Sequence, residues 1–447
     1  MKKTEVLIIG GGPAGTVCAL TARKYYPDRK ITVVRDTEKG VIPCGIPYMI
    51  SSLENPADNA SSIQALNDNG IETAVDRAVV IDRPGKTVRM ESGEVYGYDK
   101  LVLAVGSSAI IPSLPGVDLK GIYPVKKELG YLLGMVEDLK QRKNILVVGG
   151  GFIGIEFADE LSRLSGCRVS LVEILPRLLA NSFDPEFAAL AEERLKNKGV
   201  EVLTGTRVTG FTGKGRVEKA LFASGEEREV DAVVLGLGAR PNVNLAAAAG
   251  LVLKGQQGIW VDEYLRTVDP DIFAIGDCAT KRDFYTRKGI SVMLASTATA
   301  EARVAGANLF KLKVIRENKG TIAIYSTYVD GLVLGSAGLT EDSARKEAFE
   351  IAVGNAEATD RHPASMPAAS KVRVKLIFSR GSEILLGGQA AGGISAGELI
   401  NIIGMAIQKR DSRTELETLQ MATHPWLTPP PTKYPLIAAA MRASAGD

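Results

Sequence analysis

Two glycine turns, each set directly after a short apolar run, constrain this chain more than any other feature. Glu5-Val6-Leu7-Ile8-Ile9-Gly10-Gly11-Gly12-Pro13-Ala14-Gly15 reads as a buried strand running into a tight turn and a helix. Asn144-Ile145-Leu146-Val147-Val148-Gly149-Gly150-Gly151-Phe152-Ile153-Gly154 repeats it. Each is followed by a helical stretch and a second strand, Ile31 to Arg35 and Arg168 to Glu173. Two βαβ units of this kind predict two dinucleotide sites.

The spacing has a physical reason. Gly10, Gly12 and Gly15, and again Gly149, Gly151 and Gly154, let the backbone turn sharply and approach a pyrophosphate. The helix that starts there points unpaired N–H groups and its positive end at the phosphates. Glu173 closes the second strand of the second unit. A carboxylate there accepts from a ribose 2′-hydroxyl and repels a 2′-phosphate, which favours NADH. Arg177, four residues on, keeps NADPH possible. The matching place in the first unit holds Arg35, then Asp36. Either Asp36 reaches the ribose or the adenosine is held differently; otherwise Arg35 is a solvated strand end.

Further strands end at turns: Leu101 to Ser107, Val233 to Asn242 with Gly238 in its turn, and Pro270 to Ala279. Ile290 to Leu309 reads as an Ala-rich helix. From about Thr321 the pattern changes, and Lys371 to Phe378 and Ile384 to Gln389 alternate as antiparallel strands do. A helix is expected from Ser395 to Lys409, capped by Ser395 with Glu398 three residues on, and a weakly structured tail ends at Asp447.

At 447 residues the chain is long enough for two to four domains. Its 54 basic and 52 acidic residues leave no electrostatic footprint for nucleic acid and no polybasic membrane anchor. The charge-free run from Val6 to Ala22 fits strand, turn and helix better than a signal peptide, and no later run reads as a membrane span. Four widely spaced cysteines show no metal-ligand spacing and suit a reducing compartment, so a cytoplasmic location is expected.

Both glycine turns, the Ala104-Val105-Gly106 exit and the Ile275-Gly276-Asp277 strand end resemble the two-dinucleotide pyridine nucleotide–disulfide oxidoreductases, the flavoproteins that include glutathione reductase. The resemblance implies an α/β fold: two Rossmann-like domains, for FAD and NAD(P)H, plus a C-terminal α+β dimerisation domain. It divides the chain into FAD segments at 1–112 and 250–320, an NAD(P)H domain at 113–249 and a dimerisation domain at 321–447. It implies that Asp277 binds the ribityl chain of the flavin. It places Phe152 as an aromatic gate over the flavin and Glu156 beside the nicotinamide. The plainer alternatives are helix packing for Phe152 and a solvated charge for Glu156.

Cys44 lies in Val41-Ile42-Pro43-Cys44-Gly45-Ile46-Pro47-Tyr48. Disulfide reductases of the family carry Cys-x4-Cys, but the fifth residue after Cys44 is Met49. The stretch is similar to the single-cysteine branch of coenzyme A disulfide reductases, NADH-dependent persulfide or polysulfide reductases, and NADH oxidases. Pro47 fits the first turn of a helix, whose dipole would favour a thiolate at Cys44. A thiolate attacks disulfide sulfur, or is oxidised by peroxide to a sulfenate. Cys18, Cys167 and Cys278 read as packing residues. Gly40-Val41-Ile42-Pro43 replaces the Ser-Phe-x-Asn of coenzyme A disulfide reductases, which leaves coenzyme A recognition open.

His424-Pro425 resembles the pair that disulfide reductases supply from the partner subunit, with Pro429 where their orienting Glu stands. His424 is then either an acid/base across a homodimer interface or a loop residue. Tyr434 is a weaker candidate, and His362 is expected to be inert. The expected function is electron transfer from NADH through FAD and Cys44 to a low-molecular-weight disulfide, persulfide or polysulfide. The alternatives are an NADH oxidase or peroxidase and a reductase for a ferredoxin-type partner.

Overall fold

A computed structural model describes residues 1–313 and 316–444, so the tail ending at Asp447 lies outside the described residues. The principal elements begin with β1 (Val6–Ile9), α1 (Pro13–Tyr25), β2 (Ile31–Arg35), β3 (Glu72–Val75) and β4 (Lys100–Leu103). There follow β5 (Asn144–Val148), α2 (Phe152–Ser162), β6 (Arg168–Val172), α3 (Pro185–Asn197), β7 (Glu201–Leu203), β8 (Ala232–Leu235), β9 (Ile272–Ala274) and α4 (Ala295–Asn308). The C-terminal part holds β10 (Ile324–Val329), β11 (Leu332–Gly338), β12 (Ile351–Thr359), β13 (Lys371–Ser379), β14 (Leu385–Gly392), α5 (Ala396–Lys409) and α6 (Pro435–Ser444).

The chain forms two compact units. The first comprises Met1–Ile111, Pro124–Lys140 and Gly238–Thr321. Its sheet runs β9-β4-β1-β2-β3, every pair parallel. β1 is buried along its whole length, as a strand covered on both faces requires. α1 opens with Pro13 in its first turn, where the missing N–H is not needed. It packs along α4 so closely that a Cβ on Gly306 would lie 2.8 Å from the Cys18 carbonyl oxygen.

The second unit takes Pro112–Tyr123, Gln141–Leu237 and the chain from Ile322 onward. β8-β5-β6-β7 repeat the parallel arrangement, with α2 following β5 as α1 follows β1. The C-terminal sheet is antiparallel in the order β10-β11-β14-β13-β12, as the alternation in β13 and β14 predicts. α5 covers β11 and β14, and α6 covers β12 and β13.

Two local expectations fail. The Ala-rich helix starts at Ala295, because Gly289–Ile290 pair with Lys281–Arg282 as short strands. Ser395 does not cap α5: its backbone is already helical (φ −59, ψ −26), and its buried Oγ has no hydrogen-bond partner among the described residues. A cap needs extended backbone. Ser412, at ψ 168, does form a capping box with Glu415. No helix of the described residues is long and apolar enough to cross a membrane.

Candidate active site

In the first unit, Gly10 stands at φ +115, and a Cβ there would lie 2.1 Å from the Ala104 carbonyl oxygen. Only glycine allows β1 to close on the β4 exit in this way. Gly15 lets α1 seat 1.9 Å from the Gly10 carbonyl by the same measure, whereas a Cβ on Gly12 would meet nothing within 4 Å. That open space lies before the first N–H groups of α1, so the residues present fit the pyrophosphate of a dinucleotide such as FAD. Arg35 is buried, its stem against Gly11 and its Nε donating to the Thr37 carbonyl oxygen at 2.8 Å. It is therefore not a solvated strand end, while Asp36 is exposed.

Gly106, at φ +66, turns the β4 exit toward Ser107. Ser107 Oγ donates to Asp277 Oδ2 at 2.6 Å, and Lys127 Nζ lies 3.1 Å from the same oxygen. Neither residue carries a local motif. The adjacent Gly276 is fixed from below: its N–H donates to Glu301 Oε2 at 2.8 Å, and its carbonyl accepts from Lys281 Nζ at 2.7 Å. Lys281 and Glu301 are themselves a buried pair, and burial keeps the Glu301 carboxyl above its ordinary pKa.

Cys44 is exposed, in a 3₁₀ turn, Pro43–Gly45, followed by a second, Pro47–Met49. No α-helix begins at Pro47. An α-helical bond from the Pro43 carbonyl would need the N–H that Pro47 lacks, so that oxygen accepts from Ile46 N at 3.3 Å instead. The dipole argument for a thiolate falls with the helix. Asn59, buried, braces the turn: its Nδ2 donates to the Ile42 carbonyl at 3.1 Å while its own carbonyl accepts from Ile42 N at 3.0 Å. Burial lifts the thiols of Cys18 to about 12 and of Cys167 and Cys278 to about 11. Those three are thus poor nucleophiles at neutral pH.

In the second unit, Gly149 at φ +109 closes on Gly236 as Gly10 does on Ala104, Gly154 seats α2, and Gly151 again faces open space. Glu173 is buried against the loop, Oε2 accepting from Gly150 N at 2.6 Å and Oε1 from Leu175 N at 2.7 Å. Arg177 Nε is buried without a hydrogen-bond partner among the described residues. Gly238, at φ +85, belongs to the first unit, where its carbonyl accepts from Ile110 N.

Phe152 opens α2 and stacks on Tyr325 with centroids 4.9 Å apart at 18°; Phe183 lies tilted at 6.1 Å. Glu156, one turn on, is buried and accepts from Thr327 Oγ1 at 2.7 Å, so it is not a solvated helix charge. Burial raises its pKa to about 7; the Thr327 hydrogen bond opposes this, and Glu160 and Asp159 add to it. His424 is exposed, its Nδ1 accepting from Trp426 N at 3.2 Å. His362 Nδ1 donates to the Thr428 carbonyl at 3.0 Å and His362 N to the Pro425 carbonyl at 3.1 Å, so this residue props the His424 loop. Tyr434 is buried.

Two dinucleotide cradles and a C-terminal antiparallel sheet define a two-nucleotide oxidoreductase. Residues 4–302 match the pyridine nucleotide-disulphide oxidoreductases and residues 324–433 their dimerisation domain, and the chain belongs to this family. It is 31% identical to an NADH oxidase of Methanocaldococcus jannaschii, over 94% of this chain and 95% of that one. It is 32% identical to an NAD(P)H sulfur oxidoreductase (CoA-dependent) of Pyrococcus abyssi, over 88% of each. Among solved structures it is similar to an NAD-dependent persulfide reductase from A. fulgidus (TM-score 0.90, 29% identity), covering 99% of this chain and 83% of that one.

Proposed function

We propose that the protein passes electrons from NADH through FAD and Cys44 to a low-molecular-weight disulfide, persulfide or polysulfide. One observation carries the reading: the exposed thiol lies in the same compact unit as the first dinucleotide cradle, and the other three are half or fully buried. The sulfur-reducing relatives support it. FAD, when bound, would supply hydride acceptance from NADH and a two-electron reductant for the mixed disulfide at Cys44.

The chain's own residues do the rest. Gly10, Gly12, Gly15, Ala104 and Gly106 admit the FAD, Gly276 positions Asp277, and Asp277 binds the ribityl hydroxyls in place of its present partners. Arg35 borders the adenosine end. Gly149, Gly151, Gly154 and Glu173 hold NADH, with Phe152 and Glu156 at the nicotinamide. Cys44 attacks one sulfur of the disulfide, forming a mixed disulfide and expelling one thiolate. Two electrons then cleave that bond, returning the Cys44 thiolate and releasing a second thiolate, which takes up a proton. His424 is the proton source, across a homodimer interface. A reducing, cytoplasmic setting suits an exposed thiol.

Anaerobic stopped-flow measurement of Cys44→Ser tests this. NADH should reduce the flavin at the wild-type rate, and turnover with coenzyme A disulfide and polysulfide should vanish; unchanged turnover sinks the reading. A second reading, NADH oxidase or peroxidase through a Cys44 sulfenate, is favoured by the NADH oxidase relative and the same exposed thiol. Oxygen consumption matching sulfur turnover would select it.

A further inference from the structure

We propose that strand β10 supplies the other half of the nicotinamide gate, with Tyr325 as the ring that Phe152 must leave and Thr327 as the group that fixes Glu156. The inference rests on the assignment of Phe152 and Glu156 to the nicotinamide pocket. Phe152 and Glu156 are four apart on α2 and so share a helix face. Tyr325 and Thr327 are two apart on β10 and so share a strand face. The two pairs meet in register, ring on ring at 4.9 Å and hydroxyl on carboxylate at 2.7 Å.

A ring face stacked on Tyr325 is not available to a nicotinamide, and Phe183 crowds Phe152 from another side. Movement of Phe152 therefore gives up the stack, which commands about two- to tenfold in an equilibrium constant. Thr327 acts on the other group. The charged neighbours acting on Glu156 are Glu160 and Asp159 of its own helix. Arg163 pairs with both, and Lys198, just after α3, pairs with Asp159. From β10 the group that faces Glu156 is the Thr327 hydroxyl, a donor that favours the carboxylate, while Tyr325 faces Phe152. Tyr325 and Thr327 are positioning residues: they act through Phe152 and Glu156.

The test uses the FAD-loaded protein. NAD⁺ affinity is read by calorimetry, and NADH-driven flavin reduction is read by stopped flow across pH 5.5–9. Tyr325→Leu should tighten NAD⁺ binding and lower the NADH KM about two- to tenfold, while Tyr325→Phe keeps wild-type affinity. Thr327→Val should move the pH midpoint of flavin reduction upward, and Thr327→Ser should restore it. Unmoved affinity in Tyr325→Leu together with an unmoved profile in Thr327→Val overturns the proposal. Phe152→Ala and Glu156→Gln separate the two levels. If they change these readouts and the β10 variants do not, only the role of β10 falls; if they change nothing, the pocket assignment falls as well.

Discussion

At the scale of single residues, burial sorts groups that look equivalent in the sequence. Glu156 is the clearest case: it occupies the second turn of α2 yet is enclosed, and its pKa rises to about 7 because burial penalises the charge. The sign of its effect on stability follows. The folded pKa exceeds the unfolded value near 4.5, so folding favours the proton. The stability contributed is fully present below about 4.5 and is lost as pH rises through about 7. Glu156→Gln cannot lose a proton. Its denaturant midpoint should therefore fall less between pH 5 and pH 8.5 than that of the wild type, and equal falls would refute the assignment. None of this is visible in a helical periodicity. The hydroxyl that contacts Glu156 lies 171 residues away, on a strand that carries no motif.

At the scale of elements, the glycine turns were legible and the cysteine turn was not, for one physical reason. Gly10 and Gly149 sit where positive φ and a close carbonyl exclude every other residue, so chemistry and position coincide locally. The turn at Cys44 depends on Asn59, which no local pattern links to Ile42, and on a missing N–H at Pro47 that reads equally well as a helix start. Gly45 marks the point. A Cβ there would lie 2.0 Å from Asn59 Oδ1, and Asn59 is buried and bonded twice to Ile42, so it has little room to retreat. Gly45→Ala should lower stability by about 1–3 kcal/mol and slow turnover with sulfur acceptors, with flavin reduction by NADH intact. An unaltered urea midpoint and unaltered sulfur turnover would show that Asn59 does not clamp the turn.

At the scale of the molecule, the chain leaves the first sheet after β4 and returns to it only at β9, having built the second dinucleotide part between them. That return rests on non-local pairing, and only the family resemblance, not the pattern, predicts it. Within the second unit the dinucleotide part and the C-terminal sheet are joined by a buried charge. Lys375 on β13 lies 2.9 Å from Asp184, 2.7 Å from Glu186 and 2.7 Å from Glu341, and Gln389 on β14 donates to Asp184 at 2.6 Å. Burial works against the ammonium, but hydrogen bonds to Glu186, Glu341 and Asp184 outweigh it and hold its pKa above the ordinary value. Lys375→Met removes the cation and leaves three carboxylates facing one another, a change that costs about 3–5 kcal/mol when a buried pair is broken from one side. The exposed Lys346–Asp342 pair is the control, since such a pair contributes at most about 1 kcal/mol. At pH 7 the urea midpoint of Lys375→Met should drop far below that of Lys346→Ala. Equal midpoints for the two variants at pH 7 would mean that the cluster does not join these parts.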